Sequence, residues 1–165
     1  MHRRTIMAGT AALALLPMAS VAFGQSSASA VDQAKLPALM GGDFATATSK
    51  LAAQKASNRS VKTFADLEIA EQAAVAEAFG SEPGAAGLSE KHAAMLAELQ
   101  ALDGAAFDMM YIDGQIEGHE ELLKIHQTYA KNGDDPMARG ASMVGVTGIQ
   151  THLVMLNSIR NSLSA

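Results

Sequence analysis

From about residue 60 onward, stretches with apolar residues every three or four positions alternate with short runs of Gly, Pro, Asn and Asp. That spacing predicts amphipathic helices separated by turns. Val61, Phe64, Leu67, Ala70 or Glu71, Val75 and Phe79 predict a helix from about Ser60 to Phe79. Residues 80–88 (GSEPGAAGL) read as a loop. Ser89 is placed to cap a third helix running to about Leu102, with Leu88, His92, Met95, Leu96 and Leu99 near one face. Asp103-Gly104 marks a turn, and a long fourth helix is expected from about Ala105 to Lys131, closed by Asn132-Gly133. Asp135-Pro136 has the form of an N-cap followed by proline at the first helical position, so a fifth helix should run from there to about Ser162.

Upstream the pattern weakens. Residues 31–42 (VDQAKLPALMGG) are interrupted by Pro37 and Gly41-Gly42 and read as a lead-in segment. The first helix is then expected from Asp43, as N-cap, to about Ala56, with Ser57-Asn58-Arg59-Ser60 as a break. No stretch sustains a two-residue alternation rich in β-branched side chains. Long amphipathic helices with short connections predict an all-α, antiparallel bundle of four to five helices over residues 43–165.

Residues 1–30 have a different pattern. His2, Arg3 and Arg4 precede an apolar run from Ile6 to Phe23, and Ala28-Ser29-Ala30 fits the small-x-small rule for cleavage, with Ala22-Phe23-Gly24 as a second possible site. This is the form of a cleaved signal peptide, through either the general or the twin-arginine route. It predicts export to the periplasm, with association with the outer membrane left open. No later segment is long and apolar enough to span a membrane.

Composition sharpens this picture in three ways. The chain is 48% hydrophobic but only 4% aromatic, a mix that favours helices. It has no Cys, which excludes disulfides, iron–sulfur clusters and thiolate zinc sites. The formal net charge of −5 would become about −7 on losing Arg3 and Arg4, a balance that argues against nucleic acid as a partner.

Candidate chemistry centres on histidines. His119 follows Ile112 and Ile116 on the apolar stripe of the fourth helix, with His126 two turns further on. His152 lies among Gly145, Gly148, Ile149, Leu156 and Ile159 on the fifth. Inward His and Glu from facing helices are how bundles build transition-metal sites. Periodicity is met equally by buried histidines hydrogen-bonded to a carboxylate or backbone group, the commoner arrangement. Glu68 and Glu71 are the best carboxylates for the bundle interior, and the chain has no Glu-x-x-His. The candidate metal ligands are therefore Glu71, His119 and His152. A metal held by them requires both imidazoles within about 5 Å of each other and of the Glu71 carboxylate. Asp108 is read as complementing the dipole at the start of the fourth helix, and Gly140, Gly145 and Gly148 as close-packing positions. There is no nucleophile elbow, phosphate loop or dinucleotide fingerprint, so no catalytic residue is assigned.

Several segments, taken in order, resemble the exported bacterial proteins of the domain-of-unknown-function 4142 family. They are Lys50-Leu51-Ala52 through Ala56-Ser57-Asn58, Val61-Lys62-x-Phe64-Ala65, Leu88-Ser89-x-Lys91-His92, Leu99 through Phe107-Asp108-x-x-Tyr111, His119, and His152-Leu153. The resemblance covers roughly residues 43–160 and implies a ferritin-like helical bundle and an exported location. Two departures stand out. The second helix carries Glu71-Gln72 where the family usually has Asp-His, and Ala45 and Ala47 stand on the first helix where the family often has acids. An amide is a poor transition-metal ligand beside His. The leading expectation is thus a non-enzymatic envelope protein, stress-related or binding a small molecule or protein partner. The alternative is a ferritin-like metal-binding or redox protein that uses the inward histidines.

Overall fold

The computed structural model describes residues 32–165. The expected signal peptide lies outside them. Five helices account for most of the described chain: α1 (Leu36–Lys55), α2 (Arg59–Ala78), α3 (Glu90–Gln100), α4 (Gly104–Asn132) and α5 (Pro136–Leu163). α1 packs on α2 and α4, α5 packs on α4 and α2, and α3 lies against α1 and α4.

Side-chain contacts set the directions of these helices. Lys35, just before α1, bonds the Phe79 carbonyl after α2 and the Asp135 carboxylate before α5. At the other end, Asp108 near the start of α4 bonds the turn between α1 and α2. Neighbouring helices are therefore antiparallel. The chain must cross from one end to the other between α2 and α4, and α3 with its flanking loops makes that crossover. This is the connectivity of a bundle with one long crossover connection. The all-α bundle is as expected.

Helix ends follow local chemistry. The side chains of Ser89 and Asp135 cap α3 and α5, and Pro136 opens α5. α1 departs from expectation. It begins at Leu36 rather than Asp43, so most of the expected lead-in is helical. Pro37 occupies its first turn, where a missing N–H costs nothing. Gly41 and Gly42 are interior positions of close approach. A Cβ at Gly41 would lie 2.6 Å from Leu122 Cδ2, and one at Gly42 would lie 2.6 Å from Gln72 Oε1. Because α2, α3 and α4 all pack on α1, it is buried on several faces, from Ala38 and Leu39 through Phe44, Ala45, Ser49 and Ala52. A helix covered in this way has no clear polar stripe to read.

Asp43 is accordingly not a cap. Its buried carboxylate accepts from the backbone N–H groups of Gly84, Ala86 and Gly87, at 2.6, 3.0 and 2.9 Å, and holds the crossover loop on α1. Asp108 is likewise not a dipole residue. Its carboxylate accepts from Ser57 N–H (3.0 Å), Asn58 N–H (2.8 Å) and the Ser57 hydroxyl, and so clamps the α1–α2 turn. Tyr111, one turn on, bonds Ser49 of α1 at 2.8 Å. Several of the residues that carry the family resemblance are thus scaffold.

The core is in two parts. One cluster gathers Ala52, Val61, Phe64, Phe107, Tyr111, Ile112 and Leu156. The other gathers Leu39, Ala76, Phe79, Tyr129 and Ala138. Along α2 and α4, most of the buried positions between them are polar: Glu68 and Gln72, then Gln115, His119 and His126, with Leu122 among them.

Candidate metal centre

The bundle's waist is built from three helices. α2 supplies Glu68, on the stripe Val61, Phe64, Ala65, Glu68, Gln72 and Ala76, all buried. This stripe is one position out of phase with that expected from sequence. Leu67 is 52% exposed, and Glu71 falls at the helix edge rather than inside. α4 supplies His119 at 1% exposure, and α5 supplies His152, whose side chain is 12% exposed.

Three atoms converge there. His119 Nε2 and His152 Nδ1 are 3.2 Å apart. Glu68 Oε2 stands 3.4 Å from the first and 3.3 Å from the second. It is fully buried and makes no hydrogen bond there, while Oε1 accepts from Gln72 Nε2 at 2.8 Å. Glu68, His119 and His152 are the one such group among the described residues that could hold a metal ion. Phe64 packs against both imidazoles, with ring centroids at 5.9 and 5.4 Å.

The outward-facing nitrogens assign the tautomers. His119 Nδ1 lies 2.8 Å from the Gln115 carbonyl, which can only accept, so Nδ1 carries the proton. His152 Nε2 lies 3.2 Å from Glu71 Oε2, so a proton on Nε2 would face a carboxylate. With the protons of both neutral rings on these outer nitrogens, two imidazole lone pairs and a carboxylate oxygen face one another. Such a triangle needs a positive charge, either a proton on one imidazole or a metal cation.

The electrostatics agree. Burial pushes the Glu68 carboxyl up, but the imidazoles of His119 and His152, with Gln72, outweigh burial and hold it down at about 2. His152 is raised above ordinary histidine, chiefly by Glu68, against burial and with help from Glu71. Positive charge is favoured at this spot.

The two sequence-assigned histidines are thus brought together. Glu71 lies at His152 but on its outer nitrogen, and the central carboxylate is Glu68. Glu68 lies on the run of buried positions three or four apart from Val61 to Ala76, which apolar periodicity misses by counting Leu67 as interior. His126 stays apart: its Nδ1 is 3.0 Å from the Ser142 hydroxyl, and its ring packs on Phe79. Of the α5 glycines, Gly145 packs against His126 as expected for close packing. Gly148 lies beside Glu71, and Gly140 has open space around it.

The fold and this waist define an all-α bundle with a buried imidazole–carboxylate cluster. A family described as "Domain of unknown function (DUF4142)" matches residues 18–159, and the chain belongs to that family. No curated protein and no solved structure matches it. No helix among the described residues is long and apolar enough to cross a membrane.

Proposed function

We propose that this chain is a non-enzymatic binding protein whose ligand is a single first-row transition-metal ion, held by Glu68, His119 and His152. The observation that carries the reading is the buried triangle of His119 Nε2, His152 Nδ1 and Glu68 Oε2, with edges of 3.2, 3.3 and 3.4 Å. Metal–ligand bonds near 2.0–2.1 Å set tetrahedral ligand–ligand edges of about 3.3–3.4 Å. A carbonyl and a carboxylate orient the two imidazoles, the arrangement that fixes tautomers in histidine metal sites. Two imidazoles and one carboxylate suit Zn(II), Fe(II) or Cu(II) over Ca(II) or Mg(II). With one central carboxylate and the Gln72 amide beside it, the donor set suits one ion rather than a dinuclear ferritin-type pair. Residues 1–30 support placing the protein in the periplasm.

Elemental analysis of untagged protein tests the reading. One equivalent of metal is expected, with a higher melting temperature in the presence of Zn(II), because a ligand that binds only the folded state stabilises it. His119→Gln should lose both effects. No bound metal, together with no change in melting temperature with Fe, Mn, Zn or Cu, would remove metal binding from consideration.

A further inference from the structure

The metal cluster is closed to solvent everywhere but along one line of the bundle. Glu68 and His119 are 0% and 1% exposed, whereas the side chains of His152 and Glu71 are 12% and 35% exposed. Both of these lie where α2 meets α5. Two surface grooves run along this junction. One is lined by Glu71, Ala74, Val75, Gly145, Gly148 and Thr151, among others. The other ends on Phe64, the ring that covers both imidazoles, between Thr63 and Val154. Space beside Glu71 depends on the absence of a side chain at Gly148, where a Cβ would stand 3.3 Å from Glu71 Oε1.

Resting on the metal-binding reading, we propose that the ion reaches and leaves the cluster through the α2–α5 junction, with Glu71 as the carboxylate that captures it in transit. Glu71 is the outermost acid at the cluster and already touches His152, the more exposed of its two imidazoles. A divalent ion arriving in the groove meets Glu71 first. His152 Nδ1 then takes it on the inner side, while Nε2 stays against Glu71. A half-exposed carboxylate in a groove with mostly apolar walls concentrates cations there and speeds association. Glu71 is thus a positioning and capture residue, and Gly148 keeps the passage clear.

Stopped-flow uptake of Co(II), followed through its visible absorption, tests this on the whole protein. Filling the groove with Gly148→Val, or with Thr151→Leu at an exposed position that should not disturb folding, is expected to slow both uptake and chelator-driven release by about tenfold. The equilibrium affinity should stay within about threefold of wild type, because a blocked path changes both rates together. Glu71→Gln keeps an oxygen acceptor for His152 but loses the charge. It should slow uptake and flatten its dependence on salt, since charge-driven steering is what salt screens. If the wild type binds Co(II) and all three variants exchange it at the wild-type rate, the route is overturned while metal binding stands. A wild-type chain that takes up no Co(II) overturns both.

Discussion

Asp108 and Glu68 are both buried carboxylates on long helices, 1% and 0% exposed. Their surroundings differ in kind. Asp108 meets three donors from one turn of chain, with both oxygens occupied. Glu68 has one oxygen on Gln72 and the other facing two imidazoles that direct lone pairs at it. A buried anion is costly unless it is paired and hydrogen-bonded. Asp108 meets that requirement within the fold and acts as a staple. Glu68 meets it only when a proton or metal joins the cluster, and that need for an outside charge distinguishes a site from a scaffold.

The comparison can be broken by making the same carboxylate-to-amide change in both places. Asp108→Asn should cost about 3 kcal/mol of unfolding free energy, because its NH2 cannot accept the bonds from Ser57 and Asn58. Urea unfolding measures this, and a loss below about 1 kcal/mol would contradict the staple. The metal-induced rise in melting temperature should survive this change. Glu68→Gln should show the opposite behaviour. Without metal its stability should stay within about 1 kcal/mol of wild type, since the amide can donate to a bare imidazole nitrogen. At a Zn(II) concentration about 100 times the dissociation constant, it should lack the wild-type gain of about 2.7 kcal/mol. Equal zinc shifts in wild type and Glu68→Gln would show that this carboxylate is not a ligand.

His126 sharpens the contrast from the other side, as a buried imidazole without a carboxylate partner. Burial pushes it down to about 4, so the folded chain resists protonating it. The unfolded chain, titrating near 6.5, binds that proton more readily between the two values. The contribution of neutral His126 is therefore fully present above about pH 6.5 and is lost as pH falls toward 4. His126→Gln should flatten the stability–pH curve across this window by on the order of 2 kcal/mol relative to wild type. It should leave zinc stabilisation at neutral pH intact. Parallel wild-type and variant curves would show that His126 is not held neutral by the fold.

How much was legible in the sequence depended on how many faces each helix buries. α4 and α5 each keep a solvated face, so their apolar periodicity and their caps gave boundaries within a residue or two. α1 is covered by three neighbours and has no alternation to read, so Pro37 and Gly41-Gly42 looked like interruptions although they are a first-turn proline and two positions of close approach. On α2 the interior stripe is itself polar at Glu68 and Gln72. A reading that rewards apolar residues shifted onto Leu67 and Glu71 and placed the central carboxylate one turn too far along. His119 and His152 were legible because each has apolar residues at helical spacing beside it, Ile112 and Ile116 before His119 and Ile149 and Leu156 around His152.

Local preferences and periodicity, properties of neighbouring residues, determined that this chain forms long helices, where most of them begin, and that two histidines face inward. Which carboxylate joins those histidines was decided only by the tertiary structure. The rotation of α2 against α4 and α5, the room left by Gly42 for Gln72, and the Glu71 carboxylate on the outer nitrogen of His152 rest on contacts between residues 30 to 81 positions apart. No spacing along a single helix encodes them, because the phase of a buried helix is set by what packs on it.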